Sequence, residues 1–331
     1  LLVHYMDIPS QAFASTCASL FPHIRDLWTG LYTQLLNALI TGDMSQIHGD
    51  PLELIDRLMT TAKIINRLLV FGLSEICTTE DVQSFFARFI EGMQQLLRHL
   101  RVHLAEDSDD DSDDGEGRTV PHGSPSQFTH QLKKLLKRMS EIPRQIQAAH
   151  PLLFRHCLRP FLEFHYMELL AECNKPTRPI EGFCINANLF ISKAISCSFY
   201  NPEAAEARSG RAKTSVGDLR FTIDEVNEAR MILMDFFTAA VVEQLMHVLI
   251  HRLLHLTTRD HTEWLYHPED YMIEQEQSKE QDSVRSSAES LFLALVDLAP
   301  EFVLGRLVES LTNSEFQLAA ARSAVITQDV L

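Results

Sequence analysis

The sequence predicts an all-α fold, on three observations. Leu, Ala, Gln, Arg and Glu recur at spacings of three and four along nearly the whole chain, which is the pattern of amphipathic helices. Only 12 glycines punctuate 331 residues, and no run alternates Val, Ile or Thr with polar residues as a half-buried strand would. With 45% of its residues hydrophobic, the chain has the apolar surface to bury a sizeable core.

Apolar periodicity divides the chain into about ten helices, over residues 10–18, 20–40, 51–72, 79–104, 128–148, 151–172, 181–200, 222–256, 282–298 and 300–331. Start signals support several of them. Asp50-Pro51 puts proline in a first turn, Thr79 stands ahead of Glu80 and Asp81 as a cap, and Asp224-Glu225 places acids where a helix dipole is positive. Linkers fall at 41–50, 105–127, 174–179, 201–220 and 265–281. As one helix, 222–256 would span about 52 Å at about 1.5 Å per residue, too long for a small helical repeat, so a break is expected near Thr238-Ala239. Cutting there leaves alternating helices of roughly 15 to 22 residues, or about five antiparallel pairs. That layout predicts a HEAT-type α-solenoid in which each pair buries its faces against its neighbours. Residues 1–104 and 128–331 are expected to form one solenoid, interrupted by an acidic insert at 105–127. No strict repeated consensus accompanies the periodicity.

The net charge of −16 is concentrated. Residues 106–117, EDSDDDSDDGEG, carry eight acids and no base. Residues 265–282 carry six acids against Lys279. The helical remainder is nearly balanced, so nucleic acid is not an expected ligand and basic proteins are. Asp109, Asp110, Asp111, Asp113 and Asp114 are the candidate residues for attracting such a partner, as a solvated anionic tether that buries nothing itself. Ser108, followed by three aspartates, has the form of an acidophilic-kinase site, and phosphorylation would add to the same charge.

Six cysteines without a CxxC pair, most of them in apolar helical surroundings, fit a reducing compartment, cytoplasm or nucleus. The most apolar stretch, 231–254, is interrupted by Asp235, Glu243, His247 and Arg252, so no membrane insertion is expected. The chain opens on Leu1 and stops within a helical pattern, the expectation for a fragment of a longer protein.

His247, His251 and His255 recur every four residues along one helical face, as a row of metal ligands would. The apolar row Leu233, Phe237, Val241, Leu245, Leu249 and Leu253 runs roughly 200° away on the same wheel. The histidines therefore read as a polar outer face, with no carboxylate between them in the manner of a metalloprotease. GRAKTS at 210–215 lacks the glycine before lysine and the preceding strand of a phosphate loop, and reads as a basic linker. No serine, cysteine and histidine arrangement points to catalysis, and neither an enzyme nor a cofactor is expected.

Residues 264–276, WLYHPEDYMIEQE, plant three aromatics and a proline in an acidic stretch read as a connection between helices. With its flanks, LIHRLLHLTTRDHTEWLYHPEDYMIEQEQSKEQDSVRSSAESLFLALVDLAPE, it resembles a segment of the importin-β family of nuclear transport receptors. There a helix ends in tryptophan, an acidic proline-acid-aromatic loop follows, and arginine with a small residue opens the next helix. Trp264, Pro268, Glu269, Tyr271, Glu274 and Arg285 match position by position; His267 stands where an acid is usual, and Tyr271 where phenylalanine is. AAHPLLFRHCLRPFLEF upstream extends the resemblance over about residues 140–310, leaving the first 140 matched in helical character alone. Trp264 and Tyr271 are expected to be largely buried, pinning a loop by their apolar bodies while Glu274 and Glu276 stay in water. Pro268 is expected to stop the helix before it.

The resemblance implies a receptor that wraps protein cargo on a concave face, releases it on binding the Ran GTPase in its GTP form, and crosses the pore on Phe-Gly repeats of nucleoporins, shuttling between cytoplasm and nucleus. It implies no cofactor, and it puts the principal Ran site in N-terminal repeats outside this chain. The alternative from another class is a HEAT scaffold such as a phosphatase regulatory subunit.

Overall fold

The fold follows from where each apolar stripe finds a partner. A computed structural model describes residues 11–72, 80–106, 125–174, 179–204, 222–256, 258–309 and 312. Among these residues the only regular structure is helical. The helices are α1 (Gln11–Thr41), α2 (Pro51–Arg67), α3 (Glu80–Glu106), α4 (Pro125–Ala149), α5 (Pro151–Cys173), α6 (Glu181–Ile195), α7 (Ile223–Phe236), α8 (Ala239–Val248), α9 (Thr258–Tyr266), α10 (Pro268–Gln277), α11 (Val284–Leu298) and α12 (300–309).

The local chemistry of the helix ends is the expected one in several places. The Asp50 carboxylate accepts from the Leu52 amide at 3.0 Å, with Pro51 as the first helical residue of α2. Gly42, at φ +68°, takes the left-handed turn that ends α1. Thr222 and Glu225 cap α7 reciprocally, each side chain bonding the other's backbone N–H. The long stretch 222–256 breaks where its length requires, with Thr238 as the N-cap of α8 and a bend of 65° between the two arms. Both α2 and α8 run on into a π-helical turn, Leu68–Gly72 and Leu249–Leu253. The first brings Gly72 so close to α1 that a Cβ there would stand 2.7 Å from Cys17 Sγ.

Two expectations are corrected. Residues 10–18 and 20–40 do not form separate helices: α1 runs through both with Pro22 inside it. A proline removes one helical hydrogen bond, but the buried row Cys17, Phe21, Trp28, Leu31, Tyr32, Leu35 and Ala38 continues across it, and that packing holds the helix together. The stretch 265–281 is not an irregular linker, because most of it lies in α9 and α10, separated by His267 alone. Pro268 opens α10 at a first-turn position where no amide hydrogen is needed.

The helices pack in two rows. One row is α1, α3 and α5, followed by α7 and α8; the other is α2, α4, α6 and α11. Each helix touches its neighbour in the row, and α1 with α2, α3 with α4 and α5 with α6 pair across rows, while the π-helical end of α8 meets α11. An aromatic string threads the first row: Trp28 stacks on Tyr32, Phe85 and Phe89 close on Trp28, Phe86 meets Phe161, and Phe161 meets Phe190 of α6. Each such ring contributes about 1.5 to 3 kcal/mol by leaving water.

Ion pairs tie neighbouring helices of the first row at two points. Arg101 of α3 reaches across to α5, where it bonds Glu172 and lies 2.7 Å from Glu168, off the hydrogen-bond direction. Glu172 in turn accepts from the Ile180 amide at 2.9 Å, fixing the entry to α6. Arg155 of α5 pairs with Glu228 at 2.7 Å and Glu225 at 3.3 Å on α7. Between α6 and α11, Asn188 donates to the Ser287 hydroxyl at 3.1 Å, and the Ser192 and Ser290 hydroxyls lie 3.2 Å apart.

No single described helix is long and apolar enough to cross a membrane; α7 and α8 reach that length only together, across their bend.

Candidate functional site

The residues singled out in 264–285 come from three elements. Trp264 lies near the end of α9, Pro268, Glu269, Tyr271 and Glu274 on α10, and Arg285 in the first turn of α11. Three of the six converge. The rings of Trp264 and Tyr271 meet nearly at right angles with centroids 5.7 Å apart, and Arg285 Nη1 donates to the Tyr271 hydroxyl at 3.2 Å. Arg285 Nε also donates to Glu289 at 3.3 Å, one turn on. Ser283 caps α11 by accepting from the Ser286 amide at 3.0 Å, which sets Arg285 at the start of the helix.

The anchors are unequal. Tyr271 is 7% exposed, as expected, whereas Trp264 is 54% exposed, which overturns the expectation of a buried pair. The tryptophan presents only part of its ring to Tyr271, and no helix of either row is laid over the rest. Pro268, Glu269 and Glu276 are exposed; the Glu274 side chain lies outside the described residues. Glu280, beyond α10, pairs with Lys193 of α6 at 2.7 Å, a second attachment of this segment to the two rows.

Sequence reasoning missed the apolar side chains around this cluster. Leu265, Tyr266, Met272 and Ile273 are all exposed, Leu265 by 70%. The signal was present on α10: Glu269, Met272, Ile273 and Glu276 stand at helical spacings of three and four, so they share one face, and Tyr271 falls on the opposite side.

The remaining candidates do not assemble. Asp109, Asp110, Asp111, Asp113 and Asp114 lie outside the described residues, as does GRAKTS at 210–215. His247, His251 and His255 are exposed, and the rings of the first two lie 4.6 Å apart, tilted by 53°, opposite the buried Leu245, Leu249 and Leu253. No group of three metal-ligating side chains occurs among the described residues. Burial pushes the Cys173 thiol up to about 12 and the Cys184 thiol well above its ordinary value, so both pack as small apolar groups and neither is an activated nucleophile.

Comparison with protein-family models, curated proteins and solved structures gives no match for this chain. The cluster of Trp264, Tyr271 and Arg285 is therefore weighed by its own geometry and by the pattern of the residues that form it.

Proposed function

We propose that the chain is a segment of a nuclear transport receptor of the importin-β type, built from HEAT-type antiparallel helix pairs that bind basic protein cargo. Release of that cargo is governed by Ran in its GTP form, and passage by Phe-Gly repeats of nucleoporins, both in the longer protein. One observation carries the reading: Trp264, Tyr271 and Arg285, the aromatic and basic positions of the motif, meet in space although 21 residues separate the first from the last. An accidental likeness would not require those three side chains to touch.

Two further observations support it. Helices that contact both their partner across rows and their neighbour within a row are what stacked helix pairs require. The segment α9–α10 is then an insertion between the α8 and α11 members of one pair. The charge of −16, held largely in 106–117 and 265–282, suits a basic cargo.

Binding to immobilised Phe-Gly repeats separates this reading from a stationary scaffold. The full-length protein that contains this chain is expected to be retained on wild-type repeats and to pass through when every Phe is replaced by Ser. Equal passage through both would remove the transport reading.

A further inference from the structure

The outer side of the first helix pair shows water large apolar side chains from both helices. On α1, Phe13, Leu20 and Leu27 are 42%, 41% and 45% exposed; on α2 and its π-helical end, Ile64 and Phe71 are 37% and 58% exposed. Neighbours in each set stand about two helical turns apart, so each set follows one line along its helix. At about 100° per residue, Leu20 and Leu27 stand about 80° to 100° round α1 from Trp28, which faces Phe85 and Phe89 of α3. Ile64 stands about 160° round α2 from Asn66, which bonds Gln145 of α4. The π-helical turn lays Gly72 against Cys17, where a Cβ would stand 2.7 Å from the thiol sulfur. Cys17 is about 60° round α1 from Leu20, so Phe71 lies beside the part of α1 that carries Leu20. Both lines thus border the contact of α1 with α2, on the side turned away from α3 and α4.

Charge and chain length select the occupant. Arg25 and Asp26 are the only Asp, Glu, Lys or Arg residues of α1, and Arg25 is taken by Asp26 and Asp81, so the helix offers a charged partner nothing to pair with. An apolar segment with little charge fits, and one stands directly ahead of α1. Residues 1–8, LLVHYMDI, hold six apolar or aromatic residues, one acid and neither Lys nor Arg; they lie outside the described residues. Eight residues can span up to about 28 Å. Leu27 stands about 24 Å along α1 from Gln11, at about 1.5 Å per residue, so the segment is long enough to double back over both lines.

We propose that residues 1–8 dock on the outer side of the contact between α1 and α2, covering Phe13, Leu20, Leu27, Ile64 and Phe71, and so close this end of the two rows. A segment tethered next to its site meets it at an effective concentration in the millimolar range, so weak apolar contacts suffice to hold it. Its removal leaves an apolar patch through which two copies of the chain then meet. This inference stands whether or not the chain belongs to a transport receptor, since it uses only the exposed side chains of α1 and α2 and the residues that precede them.

The test is fluorescence anisotropy with a labelled peptide of residues 1–10, offered to the intact chain, to a form that begins at Pro9, and to the full-length variant Leu1→Ser/Leu2→Ser/Tyr5→Ser/Met6→Ser/Ile8→Ser, which alters no described residue. The peptide is expected to bind the shortened form and the serine variant at least about tenfold more tightly than the intact chain, whose own segment competes. A peptide carrying the same serine substitutions is expected to bind none of them. Leu20→Gln/Phe71→Gln in the serine variant is expected to weaken the peptide by about tenfold or more, and Val102→Gln/Met167→Gln, at exposed apolar positions of α3 and α5, to leave it within about twofold. All four of these side chains are exposed, so circular dichroism should match the parent. Sedimentation is expected to show the intact chain as a monomer and the shortened form self-associating. Equal peptide binding by the intact and serine forms, no binding by either, or equal weakening by the α3/α5 control overturns the proposal. So does an intact chain that dimerises and stops doing so with Leu20→Gln/Phe71→Gln, which would assign the face to a second copy.

Discussion

Tyr271 receives a hydrogen bond on its hydroxyl from Arg285 at 3.2 Å, across the connection between α10 and α11, and carries Trp264 against its ring. The phenol is thus one joint by which α9 and α10 are held to the rest of the molecule, and the indole rests on that joint.

The first prediction ranks the two aromatics. Tyr271→Ala should cost about 3 kcal/mol in urea unfolding, because it empties a packed position and frees Arg285. Trp264→Ala should cost only about 1 kcal/mol, since half of the ring is already in water. A tryptophan that proves the costlier of the two would mean that α9 is held by contacts other than Tyr271.

Arg101 carries the second. Its side chain and those of Glu168 and Glu172 are almost entirely enclosed, so Arg101→Met leaves two carboxylates without a counter-charge and should destabilise by about 3 to 5 kcal/mol. Arg159→Met, which breaks an exposed one-turn pair with Glu163, should cost less than about 1 kcal/mol. Comparable losses for the two would show that the interior pair is open to solvent.

The pair of Tyr32 and Gly92 gives opposite signs. A Cβ on Gly92 would stand 2.2 Å from Tyr32 Cε1, and that ring is fixed by stacking on Trp28, so Gly92→Ala should destabilise by about 1 to 3 kcal/mol. The Tyr32 hydroxyl is buried without a partner among the described residues, so Tyr32→Phe should be neutral or stabilise by about 1 kcal/mol. Thermal melts of the two variants, read side by side, check both.

His165 predicts a pH dependence. It lies fully enclosed against Phe183 and Phe190, its Nδ1 donating to the Phe161 carbonyl at 2.7 Å, and burial pushes its pKa down from 6.5 to about 4. The unfolded chain therefore takes up this proton first as pH falls. The contribution of the neutral ring is complete above about pH 6.5 and is lost progressively down to about pH 4, by about 3 kcal/mol in all. His165→Phe should lose less stability than the parent between those limits. His99, shifted in the same direction by burial and by His103, is present in both proteins and cancels in the difference.

What could be read from the sequence was local. Asp50-Pro51 and the break at Thr238 were legible because a cap, an early proline and a limit on helix length act within a few residues. α9 and α10 are hard to see in the sequence because a proline among acids reads as a connection, whereas Pro268 opens a helix and Glu269 and Asp270 suit its first turn. The exposure of Trp264 was not legible, because it depends on whether another helix arrives to cover the ring. Arg101 with Glu168 and Glu172 was invisible for the same reason: 67 and 71 residues separate the partners, and only the stacking of α3 on α5 makes them neighbours.

The central claim is tested most directly by measuring the binding of a basic cargo to the full-length protein that contains this chain, with and without Ran loaded with GTP, and with Ran loaded with GDP as the control. The account predicts that cargo binds in the absence of Ran, that the GTP form displaces it, and that the GDP form does not. Cargo binding that is indifferent to both forms of Ran would contradict it.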